Sequence, residues 1–242
     1  MRRRPALLIA ALLGSCAKPP PPTCDDTESF ACFTGVFSGL LGARLEGVEV
    51  CTPDLPDIPC VQSDSDGGWK LPGLPLDTDV AVTATYEDAI PTLFPQHTSM
   101  DGYAWYKVMV PESIVDTHAS RLDTALNPDR GHLLFLVWEG LNIDGKNTPN
   151  VPDVTATLTP DDAEIFYANS IGLAAKGATE TTGSGSGGAL NLPEALYEVQ
   201  FEAPGGKCKE HAFSFAFTGD GPIPVPIRPG FATAIDVICP AP

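Results

Sequence analysis

The chain has 242 residues, 31 of them acidic and 14 basic, for a formal charge of −17. That balance excludes a nucleic-acid binder, whose phosphates call for a basic footprint, and an electrostatic hold on anionic lipid. Hydrophobic residues make up 43%, enough for packed cores, while 23 glycines and 25 prolines suit short strands joined by many turns.

Residues 1–15 read as an export signal, with Arg2, Arg3 and Arg4 ahead of the apolar run Ala6–Leu13. The run is too short for a bilayer span, which takes about 20 apolar residues. Leu13-Gly14-Ser15-Cys16 resembles the lipobox of bacterial lipoproteins, and the resemblance implies that Cys16 becomes the acylated first residue of the mature chain. Cleavage after Ser15-Cys16-Ala17 by an ordinary signal peptidase is the competing reading. Several acyl chains on one residue anchor stably where a single chain is marginal. Pro19–Pro22 favour extended polyproline II, so 16–30 reads as a stalk beside that anchor. Loss of 1–15 removes three arginines and no acid, leaving 11 basic residues against 31 acidic, about −20.

Seven cysteines less Cys16 leave six, an even number suited to an oxidising compartment. Place in the chain pairs Cys51 with Cys60 across a Pro-rich bulge and Cys208 with Cys239 in the second half. Cys24 and Cys32 then pin the stalk to the first strand. There is no C-x-x-C pair to suggest zinc or redox work.

Strands are expected near 31–37, 46–52, 60–62, 68–72, 79–86 and 103–110, with the Pro91 and Pro95 segment a loop. Ser63–Tyr86 organises this half: a Ser/Asp/Gly turn, Gly67-Gly68, a short apolar run, a Leu-Pro step and an alternating strand. Val80, Val82, Ala84 and Tyr86 share one face of it. Gly-Gly supplies the positive φ of a hairpin turn, and Leu-Pro ends the short strand. Residues 111–130 change period: Ser113 and Asp116 form a capping box, and Ile114, Val115, His118, Leu122, Ala125 and Leu126 recur at helical spacing. Asn127–Gly131 stops that helix.

Gly131–Glu139 is apolar on both faces, hence central. Further strands are expected at Val151–Leu158, Ala163–Ala168, Ala189–Leu192, Tyr197–Phe201, His211–Phe217 and Ala232–Ile238. Ser184–Phe201 echoes the first pattern, with Gly187-Gly188, Leu192-Pro193, and Tyr197, Val199 and Phe201 on one face. Thr179–Gly188 reads as a surface loop.

The turn, strand, Leu-Pro, strand pattern resembles the carboxypeptidase regulatory-like, or transthyretin-like, β-sandwich. The resemblance covers 31–110, where Leu45–Val50 is the preceding strand, and less fully 131–240, where Asn150–Ala156 is its counterpart. It implies an all-β fold of two tandem transthyretin-like/Ig-like sandwiches, 31–110 and 131–242, joined by the 111–130 helix. It also implies an accessory or binding role with no catalytic residues.

Asp64-Ser65-Asp66-Gly67 places acids on alternate positions before a glycine, as a Ca²⁺ loop does, but without the later bidentate glutamate; a β-turn selects the same residues. Asp144–Asn147 reads as a turn. Around Ser184 and Ser186 the G-x-S-x-G spacing is absent, and His97, His118, His132 and His211 are scattered. Trp69, Tyr103 and Trp105 could stack on sugar rings, or fill the core. The expectation is a non-enzymatic, cofactor-free envelope protein, exported and held to the outer membrane by acyl chains, with an envelope protein or a glycan as partner. A carbohydrate-binding lipoprotein and a secreted hydrolase are the alternatives.

Overall fold

The computed structural model describes residues 30–98, 104–139, 149–210 and 221–240. The signal, Cys16, Cys24, Tyr103, the Asp144–Asn147 turn and the strand expected at His211–Phe217 lie outside the described residues. The first half holds β1 (Ala31–Ser38), β2 (Glu49–Cys51), β3 (Val61–Gln62), β4 (Gly68–Leu74), β5 (Asp79–Thr85), β6 (Thr92–His97) and β7 (Ala104–Val108). Helix α1 (Glu112–Arg121) follows, then β8 (Gly131–Trp138), β9 (Thr155–Thr159), β10 (Ile165–Ala168), β11 (Ala174–Ala175) and β12 (Ser186–Leu192). The chain continues through β13 (Ala195–Ala203), β14 (Gly206–Lys207), β15 (Lys209–Glu210), β16 (Ile223–Ile227) and β17 (Ala232–Ile238).

The protein is built as two β-sandwiches that share one sheet. A ten-stranded sheet runs β11-β10-β12-β8-β17-β6-β5-β2-β3, with β15 on β17. A three-stranded sheet, β4-β1-β7, packs on one end of it, and a four-stranded sheet, β14-β13-β16 with β9 on β13, packs on the other. The register shows that they lie on opposite faces. Ala84, Thr92, Ala232 and His132 stand level across four strands, as do Thr83, Leu93, Thr233 and Leu133. Level residues share a face. Ala84 belongs to the first core with Phe37, Trp69, Leu71, Val80, Val82 and Phe94. Leu133 belongs to the second, with Phe135, Tyr197, Val199, Phe201 and Val225. Where the sequence reading joins the halves by a helix alone, β17 joins them by parallel pairing of Ala232 and Thr233 with Thr92 and Leu93.

Both copies of the sequence pattern are sheet-to-sheet corners. In the first, β4 lies in the three-stranded sheet and β5 in the ten-stranded one; in the second, β12 lies in the ten-stranded sheet and β13 in the four-stranded one. Each first strand ends on a fully buried leucine, Leu74 or Leu192, followed by Pro75 or Pro193. A proline there cannot extend the ladder, so the chain leaves its sheet. The earlier Leu71-Pro72 step does not end its strand as expected. Pro72 and Gly73 (φ 80°) instead form a bulge opposite the Ala31–Phe33 register shift.

Two proline-bearing segments are strands, correcting the loop expected around Pro91 and Pro95. The Pro91 carbonyl accepts from Ala232 N at 2.9 Å, so 91, 93 and 95 turn their backbone polar groups toward β17. The pairing with β17 ends at Leu93, and Pro95 lacks an N–H where the ladder asks for none. β16, Ile-Pro-Val-Pro-Ile, is likewise a strand despite its two prolines. It pairs on one side only, with β13, and buries Ile223, Val225 and Ile227 while the prolines alternate outward.

Gly187 and Gly188 are not turn residues either. Both lie inside β12 between β8 and β10; the positive φ of that turn falls on Gly185 (60°), whereas in the first copy it falls on Gly67 (73°).

Helix α1 starts at Glu112 behind Pro111, with no side-chain cap. Ser113 lies inside the first turn, so the expected capping box does not form. Val115 and Ala119 pack with Ile90, Phe166, Leu190 and Ala232 on the face of the ten-stranded sheet that the four-stranded sheet does not cover. No helix among the described residues is long and apolar enough to cross a membrane.

Candidate functional site

The expected disulfides Cys51–Cys60 and Cys208–Cys239 are both formed, and Cys32 is disulfide-bonded as well. Around the first, Arg228 Nη2 donates to Asp54 Oδ1 at 2.6 Å, tying the disulfide loop to the strand exit of the second sandwich.

The Asp64–Gly67 segment is a closed turn. Asp64 Oδ1 accepts from Asp66 N at 2.9 Å and from Gly68 N at 2.8 Å, and Gly67 N donates to Asp64 O at 2.8 Å. That carboxylate is spent on backbone donors, as an Asx turn spends it. Among the described residues no three His, Cys, Asp or Glu side chains cluster as metal ligands would. Trp69 is 2% exposed and stacks on Phe37 with centroids 5.6 Å apart, so its ring faces the first core and not a ligand. Trp105 pairs with Gly35 from β7; its side chain lies outside the description, as does Tyr103.

The structure brings together residues that no spacing announced. Asp236 on β17 receives Trp138 Nε1 at 3.0 Å and pairs with Lys107 Nζ, which also stands 5.3 Å from the centre of the Phe94 ring. The cluster clasps β7 of the three-stranded sheet to β8 and β17. Thr182, Ser184 and Ser186 form a hydroxyl ladder, with Ser184 Oγ and Ser186 Oγ 2.9 Å apart and Thr182 Oγ1 donating to Ala168 O. It closes a turn, and no histidine or carboxylate partners it in these bonds.

Two histidines serve the backbone. His118 Nδ1 accepts from Ala174 N at 3.0 Å, and Arg121, three residues on, donates to Ala174 O at 3.3 Å. Together they satisfy both polar groups of that residue on edge strand β11, a form of edge protection. His132 Nδ1 accepts from Asn191 N at 3.2 Å. Asn191, at φ 58° in the β12 bulge, in turn accepts from Asn127 N and donates to Ala125 O. A backbone N–H can only donate, so both Nδ1 atoms are unprotonated. Burial holds both pKa values below the usual histidine value, and Arg121 lowers that of His118 further. His97 is the opposite case: Asp79 at 2.7 Å, then Asp77 at 3.1 Å, raise it.

These signs set an expected pH dependence. A group whose folded pKa is depressed binds its proton more readily when unfolded, so stability falls with pH. His118 and His132 therefore destabilise the fold progressively as pH drops below about 6.5. His97 contributes below that value and loses its contribution as pH rises through its raised folded pKa, weakly because the clamp is solvent-exposed. Urea midpoints at pH 7.5 and 5.5 should show a fall that shrinks in H118Q/H132Q. An identical fall in the double variant would remove the two histidines as its cause.

No family model matches the chain, and no curated protein does. Among solved structures it is similar to the TIE protein of Bacillus anthracis, at 14% identity and TM-score 0.29, covering 88% of this chain and 34% of that one. A streptococcal ancillary pilin gives 11% identity and TM-score 0.26, covering 87% and 62%. Shaft pilin SpaA from Lactobacillus rhamnosus GG gives 9% and 0.25, covering 88% and 99%. The chain thus spans about a third of the first of these proteins. Superposition this loose carries no argument about role.

Proposed function

We propose that this protein is a lipid-anchored, non-catalytic envelope protein whose folded part is a rigid two-sandwich module on a proline stalk. One observation carries the reading: all five described cysteines are disulfide-bonded. That suits export to an oxidising compartment. Of the seven cysteines, matching Cys24 to Cys32 then leaves Cys16 as the odd one, in the one place where a lipobox-like sequence would acylate it. The non-catalytic part is supported by what the polar groups do. His118 and His132 accept from the backbone, Asp64 closes a turn, and Lys107 with Asp236 ties two sheets together. The first sandwich is read as a carboxypeptidase regulatory-like domain, supported by the Leu74-Pro75 corner between its sheets.

Cys16→Ala should move the protein from the membrane fraction to the soluble envelope fraction. The intact mass of the wild type should exceed the mature sequence by its acyl groups. An unacylated wild type would sink the anchored reading.

A further inference from the structure

At the far end of β1 from the stalk, residues 39–43 form a tight protruding turn. Gly42 N donates to Gly39 O at 2.9 Å and Gly39 N to Ala43 O at 2.8 Å, with Ser38 and Arg44 bridged at its base. Gly42 takes a φ of 79° to close it. The turn holds two leucines outward: Leu41 is 100% exposed and Leu40 52%, beside Val108 at 44% on the strand paired with Ser38. Leu45, four residues on, packs on the first core. From Phe30 to Leu45 there is no acid in a chain that carries 31, and Arg44 is the one charge.

We propose that the Leu40–Leu41 tip is a bilayer contact, inserting its leucines among the acyl chains of the membrane that holds the stalk. Two side chains on a convex tip expose far less than the roughly 1,000 Å² that a stable protein interface buries, which disfavours a second copy or a protein partner. A lipid surface yields around such a tip. The geometry allows it: β1 is eight residues, about 27 Å. With Cys24 matched to Cys32, the eight residues from Cys16 to that bond reach at most about 28 Å, as far as β1 is long. The folded part can therefore lean over until the tip meets the bilayer. The neighbouring turn carries exposed Asp64 and Asp66 at the same end of the sheet, so the surface it suits is zwitterionic, not anionic. The inference rests on the anchored reading, because two leucines alone do not hold a protein on a membrane; tethering raises their effective concentration.

The test separates the two. The mature chain with Cys16→Ala and an N-terminal hexahistidine is tethered to phosphatidylcholine vesicles containing nickel-chelating lipid, so acylation plays no part. An environment-sensitive fluorophore on Leu41→Cys should shift to the blue and be quenched by doxyl-labelled acyl chains. The same label on Ile171→Cys, an apolar site of the second sandwich that is 75% exposed, should stay aqueous. Leu40→Asp should cut the inserted population roughly tenfold or more, the worth of one buried leucine, and phosphatidylglycerol should lower it too. Unshifted emission at Leu41→Cys on the vesicles overturns the proposal. So does a blue shift that appears without lipid and grows with protein concentration, which would assign the tip to a second copy. Acylation of the wild type is read separately by mass, so either reading can fail alone.

Discussion

Gly188→Val should cost about 3 kcal/mol or more and leave little folded protein under mild denaturant. A Cβ at Gly188 would lie 2.1 Å from the Leu133 carbonyl oxygen and 3.1 Å from two ring atoms of Phe166. The carbonyl is backbone of β8, the neighbour of β12 in the middle of the ten-stranded sheet, and cannot swing aside as a side-chain end can. Phe166 cannot yield either, since His118 packs against it with centroids 5.2 Å apart. On the other face of the strand, a Cβ at Gly187 would meet Phe135 Cζ at 2.5 Å and Phe166 O at 2.6 Å. The glycine pair is the space into which two aromatic rings fold, one from each side of the sheet. Gly183 is the control: its Cβ would meet nothing within 4 Å, so Gly183→Ala should be near neutral. Urea unfolding of the three proteins decides the matter; a Gly188→Val midpoint matching that of Gly183→Ala would show that the sheet can widen there.

That example marks where the sequence was legible and where it was not. Alternation in Tyr197, Val199 and Phe201 and the leucine before Pro75 and Pro193 are local facts, and they mark the strands and the breaks between them, though not that each break is a corner between sheets. Gly187-Gly188 looked like a turn because glycine usually signals backbone freedom, whereas here it signals close approach, which depends on Phe135 and Phe166 from other strands. Pro95 and Pro224 misdirected for a related reason. A proline is compatible with a strand only if its nitrogen faces an unpaired edge, and edges exist only after the sheet is assembled. For the candidate sites, the Asp64 turn could be read from residue type, since the hydrogen bonds of an Asx turn span four residues. Trp69 could be weighed but not placed until Phe37 stood beside it. Nothing in local spacing announced that His118 and Arg121 would bracket Ala174, more than fifty positions away, or that Leu40 and Leu41 would point outward while Leu45 points in.

Removing the Cys208–Cys239 bond should cost about 4 kcal/mol, against about 3 for Cys51–Cys60, because the loops they close in the unfolded chain span 31 and 9 residues. The structure adds a reason for the larger loss. Cys239 is fully buried, Cys208 nearly so, and both sit in the second core. Lys209 pairs with Ile238 at the next position, so the bond closes the end of the β15–β17 ladder. β17 is also the strand that touches both halves: it pairs with β8 along seven residues and with β6 at two, and its Asp236 holds Trp138 and Lys107. Loosening its end therefore weakens the second core and the join to the first. The Cys51–Cys60 bond closes a loop at the sheet margin, where β3 has a single neighbour, and its loss should reach the second sandwich only through the partly exposed Arg228–Asp54 pair. Comparing C208S/C239S with C51S/C60S in urea at one pH tests this ranking, and the sum of the two losses should match the quadruple variant if the sites act independently. A smaller loss at Cys208–Cys239 than at Cys51–Cys60 would mean that β17 is held by its ladders alone and that the bond adds nothing to the join between the sandwiches.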